Sequence, residues 1–239
     1  MCVTLCTFLI AFDWGLPSSK RVELLGGSDV LEKNIDDIQL AAAKDRVGGN
    51  LDYQETIHRA AFWALVGVWA GDDHVALKAI SNLDPGNLQF DPKHYMYGGP
   101  FIYTGAAFLL VAKWLNLVTL VPEEKYYLRN PSELGKIAAV LRLMVVLFAT
   151  AGLYLVYLFA KKQFDQSTAL LSWAIVLVNP ETQASVRTIE PHIFVLVFFL
   201  AAFIFILRSI HGNTRRNIIL AAIFTGVTIG IQSTSPLLE

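Results

Sequence analysis

"GKIAAVLRLMVVLFATAGLYLVYLFA" fills residues 135–160. A helix needs about 20 mainly apolar residues to cross the hydrocarbon of a bilayer. This run exceeds that, and only Lys136 and Arg142 carry charge within it. Read as a span, it makes the chain a membrane protein. The totals agree: the 239 residues are 54% hydrophobic and 16% charged, against about 25% charged in soluble domains. The excess comes in blocks, so the fold class is an all-α polytopic membrane bundle.

Working outward, Phe101–Val121, Ser167–Val178 (short), Pro191–Leu207 and Ile218–Ile231 read as further apolar helices, with Lys113 near the middle of the first. Lys161-Lys162 and Arg208…Arg215-Arg216 form short basic loops. The positive-inside tendency puts both in the cytoplasm and "NPETQASVRTIEPH" on the opposite face. Counting crossings from an external loop 13–97 conflicts with this. Either one segment is not a full crossing, or one basic loop breaks the tendency.

The N-terminal "MCVTLCTFLIAF" is apolar for 12 residues, short of a span, and lacks the basic start and cleavage site of a signal peptide. It reads as the remainder of a first span, and both chain ends read as cut. The expected organisation is a partial span over 1–12, a first external loop over 13–97 and the transmembrane bundle over 98–239. Cys2 and Cys6 share a helix face and read as small apolar fillers, since a disulfide within one helix is geometrically poor.

The loop 13–97 is acidic, with 13 Asp/Glu against 8 Lys/Arg, and the remainder basic, with 7 against 11. "NIDDIQLAAAKD" and "LDYQETIHRAAFWALVGVWAG" read as amphipathic helices. The second, with Leu51, Glu55, His58 and Phe62 on one face and Trp63 and Trp69 at its apolar end, suits the bilayer surface. Asp72-Asp73 follow it. Their bland role is a solvated helix end. Their sharper role is a base at the membrane surface, because burial raises a carboxylate's pKa and a neighbouring cation lowers it.

No nucleotide-phosphate loop, dinucleotide fingerprint, serine nucleophile elbow, zinc-protease motif or internal repeat is present. There is no nucleic-acid signature. The scattered His58, His74, His94 and His192 give no strong metal spacing.

"WGLP" at 14–17, "DDHVALKAI" at 72–80, "LQFDPKHYMYGGPFIY" at 88–103 and "SVRTIEPHIFVLVFF" at 185–199 together resemble the GT-C glycosyltransferases. Among these they resemble the dolichyl-phosphate-mannose–protein mannosyltransferases and the aminoarabinose transferases. This chain would correspond to their N-terminal portion.

The resemblance implies a polyprenyl-phosphate sugar donor and transfer to a protein, lipid or glycan acceptor on the external face. It matches Asp72 to the catalytic Asp, Asp73 to the Glu that follows it in the family, and Glu190 to an acid ahead of a later span. Arg187 and Arg142 become candidate contacts to the donor phosphate. Asp91, Tyr95 and Tyr97 become substrate contacts, the tyrosines by stacking on a sugar. An aromatic belt and helix start are the alternative for the tyrosines, and a snorkelling or structural role for the arginines. No cofactor is required, although some relatives use a divalent ion. The setting is integral to a membrane, expected to be a bacterial or archaeal plasma membrane. "GIQSTSPLLE" lacks the Lys that many relatives carry at that point. The competing readings are a transporter fragment, which should show paired broken helices, and a non-catalytic membrane scaffold.

Overall fold

The computed structural model describes residues 1–10, 12, 15–24, 26–33, 73–93, 97–121, 124–212 and 214–232. Both amphipathic helices expected between residues 34 and 72 lie outside these residues, as does Trp14 of the "WGLP" motif. The elements are α1 Cys2–Leu9, α2 Ser19–Leu24, α3 Asp73–Ser81, α4 Gly99–Trp114, α5 Glu124–Arg129, α6 Pro131–Gln163, α7 Gln166–Val178, α8 Pro180–Ser185, α9 His192–His211 and α10 Thr214–Gln232. Residues 28–33 are also helical. Among the described residues there is no strand, only an isolated bridge between Asp84 and Gln89. The fold is all-α, as expected.

Among the described residues two helices, Pro131–Gln163 and His192–Ile210, are long and apolar enough to cross a membrane. The first has 33 residues, about 50 Å at the helical rise. It starts earlier than the apolar run because Pro131 suits the first helical position, where no N–H is needed.

The expected span Phe101–Val121 is corrected. Its helix stops at Trp114 after 16 residues, about 24 Å, short of the hydrocarbon thickness. The stop is a left-handed residue, Asn116 at φ 56°. The N–H of Leu117 returns to the Ala112 carbonyl (2.9 Å) and that of Asn116 to the Lys113 carbonyl (3.0 Å). That is a Schellman closure. Lys113 is therefore an exposed last-turn cation, where the helix dipole favours it, and not a mid-span charge.

The residues form two compact units, one of 1–12, 75–108 and 141–239, the other of 13–74 and 109–140. In the second unit the Pro17 carbonyl lies so close to Gly135 that a Cβ there would meet it at 2.6 Å. Arg129 grips Glu32 with two bonds, Nε–Oε1 at 2.7 Å and Nη2–Oε2 at 3.0 Å. The Tyr127 hydroxyl accepts from the Val121 N–H at 2.9 Å, and burial pushes its phenol above the ordinary range.

The first unit is held by aromatic contacts. Phe148 of α6 stacks on Phe194 of α9 at 3.9 Å. Further along both helices, Phe159 meets Phe203 at 5.7 Å. These paired contacts make this half of α6 run parallel to α9. Phe205 stacks on Phe224 of α10 at 5.6 Å, and Phe198 meets the same ring at 6.1 Å.

The short α7 lies between α6 and α9 in the chain. Asp165 caps it, accepting from the Thr168 N–H at 2.7 Å, and that bond holds its carboxyl below the usual range. Trp173 of α7 donates to the Thr4 hydroxyl of α1 at 3.0 Å. Away from these contacts, Leu143, Leu147 and Leu158 of α6 and Phe199, Phe203, Ile206 and Ile210 of α9 are exposed. Such stripes are costly in water and suit lipid.

Candidate functional site

One end of the first unit gathers two loops. The segment after α7 reverses at Asn179, whose side chain accepts from the N–H groups of Glu181 (2.8 Å) and Thr182 (3.4 Å). Pro180 then starts α8. Val186 and Ile189 are buried, and they fix the backbone on which Arg187 and Glu190 are carried. Arg187 is half-buried, and its Nε is buried without a hydrogen-bond partner among the described residues. Glu190 precedes α9, at the end where the helix dipole favours an anion. Its Oε2 lies 3.4 Å from Nε2 of His192.

The second comes from residues 82–93 and 97–98, just ahead of α4. Asp84 accepts from the N–H of Gly86 at 3.1 Å and from the Asn87 amide at 2.6 Å. Asn82 donates to the Pro92 carbonyl at 2.7 Å. Asp91 accepts from the Lys93 N–H at 2.9 Å, which supports Lys93 in the left-handed region at φ 54°. The Tyr103 hydroxyl donates to the Phe90 carbonyl at 2.9 Å and ties this loop to α4.

Tyr97 is buried with its ring edge-on to Phe101 at 5.7 Å. Phe101 is edge-on to Phe194 at 5.1 Å. The Gly98 N–H donates to the Ile231 carbonyl at the end of α10, at 2.9 Å. A Cβ on Gly98 would lie 1.6 Å from the Gly230 carbonyl oxygen. The aromatic segment is thus fastened to the start of α9 and the end of α10, one helical turn from Glu190.

This end, with a carboxylate, a guanidinium and an imidazole on one loop and an aromatic strap beside it, has the components of a site for a polar group at a membrane surface. Residues 125–238 match the family model for dolichyl-phosphate-mannose-protein mannosyltransferase. No curated protein and no solved structure matches the chain. The mannosyltransferase resemblance therefore holds over residues 125–238, and it supports a glycosyltransferase-type function in broad terms. Arg142, Arg187 and Glu190 lie within the mannosyltransferase match. Trp14–Pro17, Asp72-Asp73 and 88–103 lie before it.

Of the residues singled out in the sequence, Asp72 and Tyr95 lie outside the described residues. Asp73 is the first residue of α3 and fully buried, an acid at the favourable end of a helix. It belongs to the second unit. Arg142 is buried on α6, with Nη1 3.4 Å from the Phe12 carbonyl. Asp91 shapes its own loop. Tyr97, Glu190 and Arg187 are carried at the same end of the first unit. Among the described residues no group of three His, Cys, Asp or Glu is placed to hold a metal ion.

The sequence reading missed two things. His192 pairs with Glu190, a contact hinted at by their i, i+2 spacing. Gly98 and Gly230 approach across more than a hundred residues, and no local signal announces that.

Proposed function

We propose that the chain acts as a membrane glycosyltransferase that takes a sugar from a polyprenyl-phosphate donor and passes it to an acceptor on the external face. Residues 13–97 supply the external loop and 98–239 the transmembrane bundle. Asp72 accepts the proton of an acceptor hydroxyl or amine. The freed lone pair attacks the anomeric carbon, the bond from that carbon to the phosphate oxygen breaks, and polyprenyl phosphate leaves with the electron pair. Asp73 orients Asp72. Glu190 shapes the donor site of the first unit, Tyr95 and Tyr97 contact the sugar, and Asp91 holds the loop that leads to Tyr97.

The leaving phosphate needs preorganised positive charge, because its charge grows in the transition state. Arg187 and Arg142 supply it, and a guanidinium is suited to bidentate phosphate contact. The family match over residues 125–238 carries this reading. The fastening of Gly98 and Phe101 beside Phe194 and Ile231 supports it, since the aromatic segment and the Glu190 loop then belong to one end.

The test is Asp72→Asn in the full-length protein, assayed in membranes with radiolabelled polyprenyl-phosphate mannose. Transfer is expected to vanish while protein abundance stays level. Transfer at the unaltered rate would remove Asp72 from the mechanism. A protein that shows no transfer with any lipid-linked sugar, but carries a solute across the bilayer, would replace the reading with the transporter.

A further inference from the structure

The other end of the first unit has a different character. The contact of Phe159 with Phe203 brings the last turn of α6 beside the last turns of α9, and α10 starts just after. Lys161 and Lys162, Arg208, and Arg215 and Arg216 are all exposed there. Lys161 and Arg208 lie over rings of their own helices, Tyr157 at 5.9 Å and Phe205 at 5.5 Å. Among the described residues none of the five forms an ion pair. The acid in this stretch, Asp165, is occupied by the N–H and hydroxyl of Thr168.

Helix energetics account for only part of this. Lys161, Lys162 and Arg208 stand at helix C-termini, which favour cations. Arg215 and Arg216 stand in the first turn of α10, which has no acid, and the dipole disfavours them there. Two large apolar side chains, Phe164 and Ile210, are each 70% exposed among these charges. Water explains the cations but not Phe164 and Ile210. Hydrocarbon explains the apolar pair but not the cations. An anionic lipid surface accommodates both, with the rings and alkyl stems at the acyl boundary and the charged heads among the phosphates.

We propose that this end binds the head groups of anionic phospholipids, with Arg215 and Arg216 as the principal contacts and Lys161, Lys162 and Arg208 completing the band. The proposal stands independently of sugar transfer. It fixes the orientation of the unit, because the leaflet that takes this end is the anionic one and the Glu190 loop faces the other side.

The test uses the full chain in nanodiscs of equimolar phosphatidylglycerol and phosphatidylcholine, extracted gently into detergent, with the retained lipids measured by mass spectrometry. Each cation near an anionic surface is worth at most roughly a fivefold preference. The chain is expected to retain phosphatidylglycerol several-fold over phosphatidylcholine. Arg215→Gln with Arg216→Gln should cut that ratio several-fold, and Lys161→Gln with Lys162→Gln should cut it less. Arg215→Lys with Arg216→Lys should keep it, which separates charge from a folding defect. High salt should shrink the preference. Equal retention of the two lipids by the unaltered chain would overturn the proposal, as would a full preference in the double Gln variant.

Discussion

Substituting Gly98 by Ala tests the closure between the aromatic segment and α10. The new methyl would sit 1.6 Å from the Gly230 carbonyl oxygen, where ordinary contact starts at 3.4 Å. The two backbones must therefore separate by roughly 2 Å, more than side-chain adjustment supplies. That separation breaks the bond from the Gly98 N–H to the Ile231 carbonyl. Overpacking costs about 1–3 kcal/mol, and a buried backbone group left without its partner costs about 1–3 kcal/mol more. The expected loss is about 2–6 kcal/mol, more than a tenfold change in the folding equilibrium. Chemical unfolding of the purified chain in detergent micelles, followed by far-ultraviolet circular dichroism, measures it. Gly226→Ala is the control, because a Cβ there meets nothing within 4 Å and alanine favours the helix by about 1 kcal/mol. Gly98→Ala unfolding at the same denaturant concentration as the unaltered chain would refute the close approach.

Phe194→Ala removes a fully buried ring that contacts Phe101, Phe148 and Phe198. It is expected to cost about 3–5 kcal/mol in the same assay. For Asp165 the folded carboxyl titrates below its unfolded value because the Thr168 N–H bonds to the anion. Its contribution is therefore present above the ordinary carboxylate range and is lost as pH falls through the depressed folded value. Asp165→Asn, which keeps a capping oxygen, should lose less stability on acidification than the unaltered chain over that window. A double-mutant cycle on Arg129 and Glu32 should return a coupling below about 1 kcal/mol, despite the two-bond geometry, because the Arg129 side chain is 67% exposed. A larger coupling would mean that the pair is desolvated.

The apolar runs were legible because hydrophobic length alone announces a span. Ser167–Val178 was read to within one residue, and the pairing of both basic loops at one end agrees with the parallel course of α6 and α9. The stop of α4 at Trp114 was not legible. "LNLVTLV" continues the apolar run, and only the backbone of Asn116 turns it. The start of α6 had a readable signal in Asn130-Pro131 that apolarity masked. In the candidate site, the residue types at Arg187 and Glu190 were visible from the sequence. The buried Val186 and Ile189 that fix them, the His192 partner and the Gly98–Gly230 approach depend on contacts made only in the folded chain. Asp72, on which the chemistry of the proposal turns, and Tyr95 lie outside the described residues, so their part rests on the resemblance.

The most direct test of a donor site at the Glu190 end is photolabelling of the full-length protein in membranes with a polyprenyl-phosphate sugar that carries a photoreactive group beside the phosphate. The account predicts that label falls on peptides spanning Tyr97–Phe101 and Arg187–His192, and that excess unlabelled donor competes it away. Label confined to the Lys161–Arg216 end, or undiminished by competitor, would contradict it.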